Sequence, residues 1–339
     1  MTTYSEAGVD ISTGDKASKI AYTAAKSTFS GREGRMGAPA ILEGGFAGML
    51  DFGDFYLVQN DDGVGTKMMV AERIGKYDTL GYDLLAMVVD DAVCLGAEVV
   101  SITNTVDCHK VDPAVIEVLM GGLAKACQEQ HVVIPGGEIA ELNQMVNGYT
   151  WNAAAVGIVA KDRVITGTKI KVGDKVIGLP AVGFRSNGFS LVRHVLQKAF
   201  GDNWHNTAYM NGQTWGEAVL KPSRIYHNQL LELLGRYGEP RQVDVAGIVH
   251  ITGGGLQGNI SRILPEGLGM QLDNLIEPLP IMQKLIQLGS IARDEAYKTW
   301  NMGIAMVVIV DPSAEVKVLA HFPDAQTMGV IDNSGEIKF

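Results

Sequence analysis

Hydrophobic residues recur along the chain at two spacings, near every second position and near every 3.6, and these predict strands and helices respectively. Positions 55–60 read as a strand and run into the loop Asp61-Asp62-Gly63-Val64-Gly65-Thr66-Lys67. Positions 79–95 read as a helix and 99–106 as a strand. Asp112-Pro113 opens a further helix to about Gln130, with aspartate as N-cap and proline in the first turn. A short strand at 132–134 is expected to stop at Pro135-Gly136-Gly137-Glu138, and a longer one covers 151–160. After the turn-rich stretch 166–174, strands are predicted at 175–179, 243–251 and 304–310. Ser186-Asn187-Gly188 precedes a helix over 189–199, 222–234 is amphipathic, and Gly253-Gly254-Gly255 opens a helix to about Leu264. Strands and helices alternate in both halves. The expected fold is α/β (α+β) in two domains, 1–165 and 166–339.

Composition narrows the function. The 339 residues are 46% hydrophobic and 19% charged, as in a packed globular protein, with disorder expected at most in the first dozen positions. A net charge of −10 repels a polyphosphate backbone, so no nucleic-acid partner is expected. No apolar run reaches the ~20 residues of a membrane-spanning helix and no signal peptide is visible, so a cytoplasmic protein is expected. Cys94, Cys108 and Cys127 form no C-x-x-C pair, which argues against a disulfide framework or a four-cysteine zinc site. Glycine, at 41 residues, is well above the usual ~7% and clusters at the ends of apolar runs, where backbone can approach a ligand.

On the helix around position 88, Leu84, Val88, Asp91 and Leu95 share one stripe, while Asp83 and Asp90 lie a heptad apart on another face. Asp91 thus interrupts an apolar face, either capping a neighbouring loop or binding a cation. Asp62 and Glu138 follow predicted strands, where α/β sheets gather ligands. Asp62, Asp91 and Glu138 are therefore candidate magnesium ligands, with Lys67 in reach of a phosphate. Asp61 shares in metal binding or only solvates its loop. No Walker loop is present. Ser186-Asn187-Gly188 and Gly253-Gly254-Gly255 are either glycine turns required by geometry or anion sites at helix starts, and Arg185 favours the second reading for the first turn. His250 is either catalytic or a bridge between backbone groups. Cys108-His109, adjacent on a strand, face opposite ways and are not read as a metal pair.

Taken in order, Tyr4-Ser5-Glu6-Ala7-Gly8-Val9-Asp10-Ile11, Asp62-Gly63-Val64-Gly65-Thr66-Lys67, Gly81-Tyr82-Asp83-Leu84-Leu85-Ala86-Met87 with Asp91, Gly96-Ala97-Glu98, and Gly136-Gly137-Glu138 with Ala140-Glu141 form a recognisable series. It continues through Ser186-Asn187-Gly188-Phe189-Ser190-Leu191-Val192-Arg193, Pro222-Ser223-Arg224-Ile225-Tyr226, His250-Ile251-Thr252-Gly253-Gly254-Gly255-Leu256 with Asn259-Ile260, and Asn301-Met302-Gly303-Ile304. The series resembles the phosphoribosylformylglycinamidine cyclo-ligase family. The resemblance implies an ATP- and magnesium-dependent enzyme of purine biosynthesis that closes the imidazole ring of formylglycinamidine ribonucleotide. It also implies a homodimer in which N-terminal-domain strands of two chains build a shared barrel. Lys67 and His250 would be catalytic. Asp62, Gly63, Gly65, Thr66, Lys67, Asn104, Gly136 and Gly137 would face ATP. Gly44, Gly45, Phe46, Arg185, Ser186, Asn187, Gly188, Gly253 and Gly254 would face substrate, and the tail from Tyr4 to Ile11 would close over the site. The sequence departs from the family pattern at Asp90 (usually Asn), Val99 (Pro), Asn104 (Asp), Ile139 (Thr), Leu142-Asn143 (Met-Pro) and Arg185 (His). Those departures leave open a same-architecture ATP-dependent enzyme with another substrate, or a non-catalytic nucleotide-binding paralogue.

Overall fold

In the computed structural model the described residues are 2–9, 11–40 and 45–339. Two mixed, largely antiparallel six-stranded sheets carry the chain. The first joins β1 (Ala38–Ala40), β2 (Gly48–Asp51), β3 (Phe55–Gly63), β4 (Glu98–Cys108), β5 (Val133–Glu141) and β6 (Tyr149–Ala160) in the order β1-β2-β3-β6-β4-β5. The second joins β7 (Lys175–Pro180), β8 (Val245–His250), β9 (Gly269–Gln271), β10 (Ile304–Val310), β11 (Gln326–Asp332) and β12 (Ile337–Lys338) in the order β12-β9-β11-β7-β10-β8. Among the described strands only β4–β5 and β9–β12 pair in parallel. β10 is buried at every residue, as its unbroken run Ile-Ala-Met-Val-Val-Ile-Val requires of a central strand.

Eleven helices are described: α1 (Ile11–Lys26), α2 (Met68–Ile74), α3 (Leu80–Val93), α4 (Pro113–Gln130), α5 (Phe189–Phe200), α6 (Trp215–Val219), α7 (His227–Leu234), α8 (Gly255–Ile260), α9 (Pro280–Gly289), α10 (Arg293–Thr299) and α11 (Glu315–His321). α4 starts as expected, with the Asp112 carboxylate accepting from Ala114 N. α3 is buried almost all round, because it packs against β3, β4 and β6 on one side and α7 and β8 on the other. It comes close to α4 because Gly81 has no side chain: a Cβ there would lie 2.2 Å from Leu123 N. The core beneath the first sheet also takes in Phe184, Phe189, Trp204, Trp215 and Trp300, so the two halves share apolar packing.

The expected stop at Pro135 is corrected. β5 runs through Pro135-Gly136-Gly137-Glu138 to Glu141. It is the edge strand of its sheet, and Pro135 falls where the β4–β5 register shifts. Proline is tolerated at an edge or bulge, where its missing N–H interrupts no ladder. Likewise β3 continues past position 60, so Asp61 and Asp62 stand on the strand and not in a loop.

Candidate active site

The end of β3, the last turn of α3 and the end of β8 meet between the two sheets. Asp62 lies on the inner face of β3, opposite Ala153 of β6. Its Oδ1 accepts from Gly63 N at 2.7 Å. Asp91 Oδ1 lies 2.7 Å from His250 Nδ1. Burial, with the Asp91 charge adding to it, pushes Asp62 up to about 6. Burial pushes Asp91 up to about 7, against the pull of Arg262 and Arg185. Burial, reinforced by Arg185, holds His250 well below its ordinary range, so its ring is neutral. The Nε2 of His250 is buried and has no partner. Each carboxylate commits one oxygen to a protein donor and leaves the other uncommitted, which suits a hard cation shared between them.

The other two acids of α3 face the second half. Asp83 forms an ion pair with Lys67 Nζ at 2.7 Å, and both side chains are 0% exposed. Its Oδ1 accepts from Ser223 N (2.9 Å) and Ser223 Oγ (2.5 Å), while Lys67 Nζ also donates to the Lys221 carbonyl at 2.9 Å. Burial drives both partners toward neutrality and their attraction opposes it. One heptad on, Asp90 Oδ2 is 2.7 Å from Arg185 Nη2, and Asp90 Oδ1 accepts from Tyr226 N at 2.9 Å. Arg185 Nη1 donates to the Arg224 carbonyl at 3.1 Å. The segment from Lys221 to Tyr226 is thereby strapped to α3, directly at Ser223 and Tyr226 and through Lys67 and Arg185 at Lys221 and Arg224. Neither expected phosphate contact, Lys67 or Arg185, reaches an open surface: both head groups are spent on carboxylates inside the protein. The heptad Asp83–Asp90, two acids on one face of a largely apolar helix, is the sequence signal for these pairs.

The two glycine turns are brought together. A Cβ on Gly253 would have Asn187 Nδ2 as its nearest neighbour at 3.9 Å, and one on Gly65 would lie 3.7 Å from the Ser186 carbonyl. Thr66 Oγ1 and Ser190 Oγ are 3.5 Å apart. Gly188 adopts φ +74 as N-cap of α5, and any side chain there would strike Trp300 at 2.3 Å. The Gly253–Gly255 turn is tied by Asn259 Nδ2, which donates to the carbonyls of Thr252, Gly253 and Gly255. Ser186 Oγ, Asn187 Oδ1 and both amide atoms of Asn60 are buried without partners, alongside His250 Nε2. Orphaned polar atoms gathered at one junction mark a place built for a polar ligand. Arg262 closes one flank, stacking 4.0 Å over the Phe46 ring and donating to the Gly45 carbonyl at 2.8 Å. Nothing in its sequence position had marked Arg262. Gly44 lies outside the described residues, so the expected substrate loop is followed only from Gly45.

Glu138 is not brought to Asp62 and Asp91. The row Asp62–Ala153–Asn104–Gly137 crosses the sheet on one face, and the next row, Gly63–Asn152–Thr105–Glu138, points to the other. Glu138 is also three strands from Asp62, roughly 14 Å at ~4.8 Å per strand. Among the described residues no group of three or more His, Cys, Asp or Glu side chains could hold a metal ion. Asn104 is buried on the inner face and accepts from Trp151 Nε1 at 3.0 Å. Gly136 and Gly137 lie on the exposed edge strand. The tail lies against the second half: Tyr4 N donates to Glu295 Oε1 at 2.6 Å, and Thr2 N to the Gly289 carbonyl.

Residues 44–159 match the family described as AIR synthase related protein, N-terminal domain, and 171–339 match its C-terminal domain. A phosphoribosylformylglycinamidine cyclo-ligase of Pyrococcus furiosus is 38% identical over 98% of this chain and 95% of its own length. One from Methanocaldococcus jannaschii is 38% identical over 100% and 94%. Among solved structures, hydrogenase maturation protein HypE in complex with ATP superposes with a TM-score of 0.60 at 14% identity, covering 82% of this chain and 77% of that one. AaThiL complexed with AMPPCP and TMP gives 0.59 at 11% identity, covering 88% of each. At such identities these two show a common fold. No described helix is long and apolar enough to cross a membrane.

Proposed function

The chain belongs to the phosphoribosylformylglycinamidine cyclo-ligase family, and from that premise we propose that it cyclises formylglycinamidine ribonucleotide at the expense of ATP. The observation that carries the reading is the meeting of Asp62, Asp91 and His250 with the Ser186–Gly188 and Gly253–Gly255 turns, in a chain 38% identical to such a ligase over nearly its whole length. The formyl-amide oxygen takes the terminal phosphoryl group of ATP, so that an amide oxygen becomes a good leaving group. The amidine nitrogen then attacks the activated carbon, the carbon–oxygen bond breaks, phosphate departs, and one proton is released. ADP and aminoimidazole ribonucleotide are the other products. HypE and AaThiL, solved with ATP and an ATP analogue, support ATP use on this fold.

Asp62 and Asp91 fit a magnesium ion, and magnesium would supply charge neutralisation for the transferred phosphoryl group. The Gly63 N–H is committed to Asp62 Oδ1, and the Gly65 and Thr66 backbone that follows would face ATP. His250, held neutral by burial and bonded through Nδ1 to Asp91, orients that carboxylate, and the proton released on ring closure passes to solvent. Ser186, Asn187 and Gly188 hold the phosphorylated substrate through the start of α5. Lys67 acts through Asp83, by fixing α3 and the Lys221–Tyr226 strap. Glu138 stands outside this set. We further propose that the domains divide near residue 165, between the two family matches. A homodimer forms through the first sheet, whose β5 edge carries Val133 (62% exposed) and Ile139 (46% exposed).

The test is purified protein with ATP, magnesium and formylglycinamidine ribonucleotide, following ADP and aminoimidazole ribonucleotide together. Equimolar formation is expected. ATP binding without imidazole product would move the reading to a relative with another substrate.

A further inference from the structure

Arg185 and Asp90 are adjacent in space although 95 residues apart in sequence, and both stand where the chain departs from the pattern it resembles. Their side chains are 2% and 0% exposed. The end of the guanidinium is turned inward: Nη2 meets Asp90 Oδ2 at 2.7 Å and the Ala86 carbonyl at 3.4 Å, and Nη1 meets the Arg224 carbonyl at 3.1 Å, while Nε is buried without a partner. Arg185 also holds a left-handed backbone, φ +58, a strained conformation for a residue other than glycine that persists only where the surrounding structure imposes it. Asp90 directly precedes Asp91, and Arg185 directly precedes Ser186. The ion pair therefore ties the cation side of the site to the turn carrying the unpartnered Ser186 Oγ and Asn187 Oδ1.

We propose that Asp90 and Arg185 are one matched positioning unit, which sets the distance between the Asp91–His250 pair and the Ser186-Asn187-Gly188 turn. Arg185 does not touch substrate. Its charge is neutralised within the fold, and recognition of the ribonucleotide passes to the turn itself. This rests on the function proposed above. A buried pair of this kind tolerates joint replacement by neutral hydrogen-bonding groups far better than loss of either member, because a single replacement strands the other charge.

The experiment is a double-mutant cycle in the full-length protein: Asp90→Asn, Arg185→His, and both together. Each single variant is expected to lower kcat/KM for formylglycinamidine ribonucleotide by roughly 10–100-fold, mostly through KM, and the pair to return it to within about 5-fold of wild type. Arg185→Lys keeps the charge but cannot span all three acceptors. It folds, and raises KM with little change in kcat, so it carries the test should a single variant not fold. A double variant no better than the product of the singles would overturn the proposal. So would an inactive Arg185→His beside an unimpaired Asp90→Asn, which would place the guanidinium on the substrate. Affinity for a non-hydrolysable ATP analogue with magnesium is measured across the same cycle. If the wild type makes no imidazole product, the proposed function fails, while coupling or its absence in analogue binding still decides whether the pair positions the site.

Discussion

Replacing Lys67 by methionine takes an ammonium from a place that water does not reach. Its partner Asp83 is then left with two donors from Ser223 and no counter-charge, at 0% exposure. Stranding one member of a buried pair costs about 3–5 kcal/mol. At roughly 2–4 °C per kcal/mol for a unit of this size, the melting temperature falls by roughly 6–20 °C. Lys67→Met combined with Asp83→Asn removes both charges and keeps an acceptor for Ser223, so most of that loss is recovered. Differential scanning fluorimetry on the two variants and the wild type, with turnover measured alongside, reads the result. If Lys67→Met melted within about 2 °C of wild type yet lost turnover, the ammonium would be serving a ligand and the structural reading would be wrong.

Two further predictions follow from the site and the sheet edge. In the metal-free protein Asp62 and Asp91 are raised to about 6 and about 7, so the folded state holds protons that an unfolded chain releases near ~4. Stability from these groups therefore falls as pH rises from about 4 through about 7, and a cation that displaces the protons restores it. Magnesium is expected to raise the melting temperature more at about pH 8 than at about pH 5, and Asp91→Asn to abolish both that difference and magnesium-dependent turnover; equal shifts at both pH values in the wild type would exclude the pair as its site. On the exposed edge strand, Ile139→Asp is expected to convert dimer to monomer in light scattering behind gel filtration, and a dimer unchanged by it would move the interface off β5.

Much of the local structure was legible in the amino-acid sequence. Asp112-Pro113 set the start of α4 through chemistry contained in four residues, and the run from Ile304 to Val310 read as a strand. Asp91 stands out in the sequence because it breaks an apolar stripe, and in the fold it meets His250. A helix period also showed that Asp83 and Asp90 share a face. It could not say what that face meets, since periodicity fixes directions within an element and carries nothing about partners 95 or 140 residues away. Only the packing of α3 against the Lys221–Tyr226 strap turned Lys67 and Arg185 inward, away from the phosphates their charges suggested. The same holds for Glu138. Its type and its glycine neighbours pointed to a metal, but the side of the sheet it faces follows from the register of β5 on β4, and a one-residue step in that register reverses every side chain. Element identity is local chemistry written in consecutive residues. The face each element offers, and the charge it finds there, are set by pairing and packing across the whole chain.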